Sequence, residues 1–218
     1  MDCANQKMRR SKPYIDDAPD PVARVQPVAN NRMLIAAQFA KAKHKDQKRK
    51  YNGRPYITHP ARVFARAMLL DDASEVELCS AWLHDVIEDC KVKHKDIVKL
   101  YGSSQFGYQV ADLVQELTNP SKDLPKNTPR AEKKRVDREH LSVVSTSAKR
   151  LKLIDRLDNC TELEQAPLDF IKLYSQETKL LIEAIGGTVP ELNNEILLQL
   201  KLLENTVRIY SAMQKISG

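Results

Sequence analysis

Glycine is scarce in this chain, with six in 218 residues, and tryptophan occurs once. So few glycines speak against a sheet built from tight turns, and long stretches of helical periodicity point instead to an all-α fold. No run is long and apolar enough to cross a bilayer, and Met1–Arg10 is polar with no hydrophobic signal core. A cytoplasmic protein with no membrane partner is therefore expected. Cysteine is sparse as well. Cys3, Cys79, Cys90 and Cys160 form no Cys-x-x-Cys pair, which excludes a zinc knuckle and a disulfide framework and leaves ordinary reduced thiols. Charge, by contrast, is plentiful: Lys and Arg number 35 against 29 Asp and Glu, a formal net charge of +6 with a pI near 9.1. Such a balance permits an anionic partner without naming one.

Residues 1–28 are punctuated by prolines and show no apolar period, as expected of a leader or extended arm. A core over 29–166 and a helical extension over 167–218 complete the expected organisation. The first core helix should start at Asn30 or Asn31 as cap and run through Met33, Leu34 and Phe39 into the basic stretch Lys41–Lys50. Tyr51–Pro55 reads as a turn, and Pro60 suits the first turn of a helix entered at Thr58 or His59. Asp71, Asp72 and Ser74 open the next helix, followed by helices near 94–100 and 106–117 and a loop broken by Pro120, Pro125 and Pro129. A helix over 147–163 carries the stripe Leu151, Ile154 and Leu157 with Asp155 beside it. Two further helices, Leu168–Ile185 and Pro190–Ile216, are separated by Gly186-Gly187. They hold no histidine, so their leucines and isoleucines are assigned to scaffolding and to self-association as a homo-oligomer.

Chemistry concentrates in Ala81–Asp89. His84 and Glu88 are four apart, as are Asp85 and Asp89, so a continuous helix would project all four from one broad face while Trp82, Leu83, Val86 and Ile87 pack. An imidazole beside a carboxylate can grip a cation, and the second carboxylate pair can handle water or a proton. An isolated His-Asp pair is more often a solvent-facing polar stretch, so its weight depends on further ligands elsewhere. His59, at a helix mouth, and Asp155 are the candidates.

His59, His84-Asp85 and Asp155, in that order, resemble the metal site of the HD-type phosphohydrolases. The segments Arg49-Lys50, Pro55-Tyr56-Ile57-Thr58-His59-Pro60, Leu83–Asp89 and Lys152–Asn159, with the loop Lys122–Lys126, are similar to the hydrolase domain of RelA/SpoT proteins and of the compact small alarmone hydrolases, the animal Mesh1 type included. The resemblance covers roughly residues 31 to 165. It implies an HD-domain helical bundle that hydrolyses the 3′-pyrophosphate of guanosine tetra- or pentaphosphate (ppGpp or pppGpp) to GDP or GTP plus pyrophosphate. It also implies a divalent cation, usually manganese, held by His59, His84, Asp85 and Asp155. Glu88 and Asp89 would activate and orient water, Arg49 and Lys50 would face the nucleotide, and Asn159 would contact its sugar or phosphate.

The residues agree independently. Two imidazoles and two carboxylates without a thiolate suit a first-row divalent ion, iron(II) and zinc(II) as well as manganese. Glu88, one turn from His84, could accept a proton from water. One segment departs from the family pattern Asp-Arg-Leu-His-Asn-Met-Arg-Thr: Asp158, Cys160, Thr161 and Glu162 replace its His, Met, Arg and Thr. The lost arginine and added carboxylates place the change on the substrate side and leave tolerance of adenine open, with metal binding untouched. Two other readings remain: an HD phosphohydrolase acting on a different nucleotide, and a catalytically silent nucleotide or RNA sensor. Nucleic acid is not expected as a partner, because only Tyr51 and Tyr56 stand near the basic run.

Overall fold

The computed structural model describes residues 29–216, of which all regular elements are helical apart from one isolated bridge between Lys48 and Pro55. The expected leader and Cys3 lie outside the described residues. Ten helices follow in order: α1 Ala29–Lys43, α2 Thr58–Ala67, α3 Glu75–Leu83, the single turn α4 Val86–Asp89, α5 His94–Leu100, α6 Gln105–Leu117, α7 Arg130–Val143, α8 Thr146–Thr161, α9 Leu168–Ile185 and α10 Pro190–Ile216. Helix α1 already contains Asn30 and Asn31, so neither is its cap.

Local chemistry explains most boundaries. Ser74 starts α3 with a capping box: its hydroxyl accepts from the Glu77 N–H while the Glu77 carboxylate accepts from the Ser74 N–H. Ser104 and Ser145 cap α6 and α8 in the same way from one side. Gly53, at φ +67, closes the turn after α1; nothing would obstruct a Cβ there, so it is the left-handed backbone that calls for glycine. The Gly186-Gly187 stop works differently. Gly186 stays right-handed, but a Cβ on it would lie 2.7 Å from the Asn193 amide of α10, so the two helices meet where a side chain would not fit.

Helix α8 is the centre of the fold. Leu151, Leu153, Ile154, Leu157 and Cys160 are buried along with the polar Lys152, Asp155, Arg156 and Asp158. Its apolar residues join a large cluster with residues of α2, α6, α9 and α10. A second cluster gathers α1, α5 and the inner faces of α3, α4 and α6. Helix α3 belongs to both, with Ala81 in the first and Cys79 and Leu83 in the second. Trp82 stacks on Phe64 of α2 with ring centroids 5.1 Å apart. Polar groups lock the same helices: Arg150 of α8 donates to Glu77 of α3 from Nε (3.0 Å) and Nη2 (2.5 Å). Burial alone would raise the Glu77 carboxyl, but the bonds from Arg150 and Ser74 outweigh it and hold it below its ordinary value. The opposite face of α10 leaves Leu198, Leu202 and Ile209 exposed. Among the described residues, no helix is long and apolar enough to cross a membrane, and Cys79, Cys90 and Cys160 are free thiols.

Candidate active site

The continuous helix expected through Ala81–Asp89 is broken. Helix α3 stops at Leu83, His84 and Asp85 form a turn, and α4 restarts at Val86. The cause is local: His84 Nδ1 donates to the Ala81 carbonyl at 2.9 Å, the acceptor that a continuous helix would give to the Asp85 N–H. Neighbours on a regular helix point about 100° apart and do not meet. The break lets them converge, with Asp85 Oδ2 2.9 Å from His84 Nε2.

His59 arrives from the first turn of α2. Its Nδ1 lies 2.7 Å from Asp158 Oδ2, and that carboxylate is held by two bonds from Arg62, at 2.7 and 2.9 Å. Both imidazoles thus spend Nδ1–H on a fixed acceptor and turn Nε2 inward, the arrangement that prepares a histidine to ligate. The two Nε2 atoms are 3.2 Å apart. Asp155 Oδ1, about one turn before Asp158 on α8, is 3.1 Å from His59 Nε2 and 3.8 Å from His84 Nε2. One donor atom each from His59, His84 and Asp155 lie within 4.8 Å of one another, and all three residues are buried. Asp85 Oδ2 stands beside them, 3.6 Å from His59 Nε2, and accepts a 2.7 Å bond from the Tyr56 hydroxyl.

The electrostatics of the cluster favour positive charge. Burial alone would lower His84, but the Asp85 charge and hydrogen bond lift it to about 9. Burial works against His59 too, yet its bonds to Asp155 and Asp158 raise it. The two carboxylates move down despite burial, Asp85 chiefly through His84 and Asp155 chiefly through Lys152, whose Nζ is 3.1 Å from Asp155 Oδ2. Positive charge is therefore wanted at the point where both Nε2 atoms meet, and a divalent cation can supply it in place of protons. The donors are nitrogen and carboxylate oxygen with no thiolate, which fits a first-row divalent metal.

Glu88 and Asp89 differ in surroundings. Glu88 accepts the backbone N–H of Asn119 at 3.1 Å and its amide at 3.1 and 3.0 Å, so it clamps the turn after α6. Asp89 opens to solvent at the rim, where partial desolvation and then the neighbouring Asp85 charge push its carboxyl up to about 6.

Beside the cluster a cavity of about 240 Å³ is lined by Arg49, Lys50 and Asn159, the three residues expected to face the nucleotide. Asn159 links the two regions, donating to Asp155 Oδ1 at 2.6 Å and accepting from Arg49 at 2.6 Å. The sequence reading missed the aromatic wall of Tyr51, Phe170 and Tyr174. Phe170 and Tyr174 lie on α9, where single aromatics inside a leucine-rich period look like core. Of the four departures, only Glu162 lines this cavity; it accepts from Arg49 (2.5 Å), Asn52 (3.1 Å) and Arg62 (2.5 Å). Cys160 is buried, and the Thr161 hydroxyl donates to the Asp158 carbonyl. Asp158 stands behind His59, so this departure reaches the metal end rather than the sugar or base.

The sequence model of the HD domain matches residues 36–182. The chain belongs to the HD-domain family. Within it, the chain is 35% identical over 165 residues to the guanosine-3′,5′-bis(diphosphate) 3′-pyrophosphohydrolase MESH1 of Xenopus tropicalis, covering 72% of this chain and 86% of that one. It is 38% identical over 174 residues to the human MESH1, covering 76% and 90%. A solved structure, described as a metazoan orthologue of SpoT that hydrolyses ppGpp and plays a role in starvation responses, superposes with a TM-score of 0.67 at 30% identity. That superposition covers 78% of this chain and 94% of the other. The HD-domain family match takes in most of α9, including Phe170 and Tyr174, and ends before α10.

Proposed function

We propose that this HD-domain protein hydrolyses the 3′-pyrophosphate of guanosine tetra- or pentaphosphate, releasing GDP or GTP and intact pyrophosphate. The observation that carries the reading is the meeting of His59 Nε2, His84 Nε2 and Asp155 Oδ1 beside a cavity walled by aromatic rings and by Arg49 and Lys50. His59, His84, Asp85 and Asp155 would hold the divalent metal, manganese in the first instance. A metal so held lowers the pKa of water and polarises a phosphoryl oxygen.

The remaining steps belong to the side chains. A water oxygen bonds to the phosphorus attached to the ribose 3′-oxygen, the bond from that phosphorus to the 3′-oxygen breaks, and the proton lost by water is balanced by one gained at the 3′-hydroxyl. Asp89, at the rim, takes the proton from water; Glu88, held on Asn119, orients the attack. Tyr56 keeps Asp85 aimed inward. Arg49 and Asn159 position the sugar end, and Tyr51, Phe170 and Tyr174 offer ring faces to the base.

One observation favours relaxed base choice. Glu162 already occupies Arg49, so the guanidinium is less available to read guanine or a 5′-phosphate, and adenosine 3′-pyrophosphates become admissible substrates. The test is to incubate manganese-loaded protein with guanosine and adenosine 3′-pyrophosphates and resolve the products by chromatography, with a chelated control. Equimolar pyrophosphate and nucleoside 5′-di- or triphosphate, abolished by chelation, is the expected result. Sequential release of single phosphates would point to a different HD phosphohydrolase, and binding without turnover to a silent sensor.

A further inference from the structure

On the α7 and α9 side of Lys152 lies a second, smaller cavity of about 30 Å³. Four cationic side chains line it, Lys134, Arg138, Lys152 and Arg156, against two acids, Asp137 and Glu177. Both acids are already engaged. Glu177 accepts two bonds, at 2.7 and 2.9 Å, from Arg130, which does not line the cavity. Asp137 accepts from the Ser121 N–H at 3.1 Å and sits 3.5 Å from Lys134 Nζ. Lys152 is held by Asp155. The two arginines are left over. Arg138 has no ion-pair partner among the described residues, and Arg156 is only 8% exposed, with Nε and Nη1 both buried and without a hydrogen-bond acceptor. Its guanidinium is covered by the Tyr174 ring at 4.4 Å, which supplies π contact but no acceptor.

A buried guanidinium with open donors is costly to maintain unless something accepts from it. The size of the cavity restricts what that is. In a measure where one water takes about 10–15 Å³, it holds two or three oxygen-sized atoms. A base or a ribose does not fit; the oxygens of one phosphoryl end do. Position restricts it further. Lys152 belongs to both the cavity and the metal cluster, and Asn119, gripped by Glu88, forms part of the wall. The cavity therefore adjoins the reacting end of the site rather than the base pocket.

We propose that this cavity is an anion subsite that takes the terminal phosphoryl group of pyrophosphate, with Arg156 and Arg138 as its donors. The assignment of pyrophosphate as the occupant rests on the reaction proposed above. Planar guanidinium forks match phosphoryl oxygens, and charge-assisted bonds of this kind are the strong ones. The subsite would hold the distal phosphoryl of the pyrophosphoryl group being transferred to water while its proximal phosphorus stands at the metal cluster, so that the bond from that phosphorus to the ribose 3′-oxygen is the one presented for attack.

The probe is inorganic pyrophosphate itself, titrated calorimetrically into the manganese-loaded full chain, with metal content measured in parallel. Arg138→Gln is expected to weaken pyrophosphate binding about tenfold, with metal content and GDP binding unchanged. Arg156→Gln should weaken it more, and Arg156→Lys should recover part of the loss. Because Arg156 is buried and its replacement could disturb folding, Arg138→Gln carries the decision on its own. Wild-type pyrophosphate affinity in Arg138→Gln would mean that the cavity holds only water, and the inference would fall. The reading of the reaction fails separately: if no nucleoside 3′-pyrophosphate is hydrolysed but pyrophosphate binding still depends on Arg138, the subsite stands and the substrate assignment does not.

Discussion

The two halves of the site are built in opposite ways. At the proposed metal end every candidate ligand has a support of its own: Ala81 for His84, Asp158 for His59, Tyr56 for Asp85, Lys152 and Asn159 for Asp155. At the nucleotide end the protein's own carboxylate already occupies a lining cation, since Arg49 donates to Glu162, which also accepts from Arg62 outside the cavity. Donors each held in place are what a reaction step demands; a partly self-neutralised end leaves room for the choice of substrate to vary. The comparison leads to the expectation that chemistry and selectivity can be varied separately, the two ends being joined through Asn159 and through Arg62, which bonds both Asp158 and Glu162.

The strongest way to break that separation is at the metal end. Asp155→Ala or Asp85→Ala is expected to lose both bound metal and turnover, to background, because each removes a charged donor from a small set. Elemental analysis showing full occupancy in both variants would sink the ligand assignment. Next in size, Glu88→Gln should keep metal and fold while turnover drops by about two to four orders of magnitude. Near-normal rates would reduce Glu88 to its bonds with Asn119 and remove it from orienting the attack.

At the nucleotide end the effect should be smaller and of another kind. Glu162→Thr frees Arg49 Nε, while Asn159 still holds its Nη2 and Asp158 still holds Arg62, and KM for the guanosine substrate is expected to shift by about tenfold with metal content unchanged. A change in metal affinity instead would show that the two ends are one network. The smallest effect on the site should come from the frame. Arg150→Ala removes the partner of Glu77 and should cost about 2 kcal/mol at neutral pH, on the low side for an occluded pair because Arg150 keeps a solvent-facing edge. The Glu77 carboxyl lies below its ordinary value in the fold, so its contribution is present above about pH 4.3 and lost as pH falls through the lowered folded value. Denaturant midpoints of wild type and variant should therefore converge on the acid side; a constant gap down to pH 3 would contradict this.

How much could be read from the sequence follows the same division. Ordered motifs singled out His59, His84-Asp85 and Asp155, whose side chains the structure brings together, and helix existence followed from apolar period. The break at His84 was not, because the apolar spacing of Trp82, Leu83, Val86 and Ile87 continues through it; only the imidazole bond to Ala81 reveals it. Asp158 was misplaced for a related reason. Its neighbours in sequence face different ways around α8, so Asp158 supports His59, Cys160 enters the core and only Glu162 reaches the cavity. Phe170 and Tyr174 escaped notice because nothing in a leucine-rich helix marks which aromatic turns toward a pocket whose other wall, with Arg49 and Tyr56, lies far away in chain order. Arg156, quoted in the motif, showed its unusual burial only once α7 and α9 were in place.

The most direct test of the separation of reaction from selectivity is a side-by-side kcat/KM measurement on the manganese-loaded protein with guanosine 3′,5′-bis(diphosphate), its adenosine counterpart, GTP and ATP. The account predicts that both 3′-pyrophosphates are turned over, differing from each other by no more than about tenfold, and that both exceed the triphosphates by at least about a hundredfold. Triphosphates turned over as well as the 3′-pyrophosphates, or better, would contradict it.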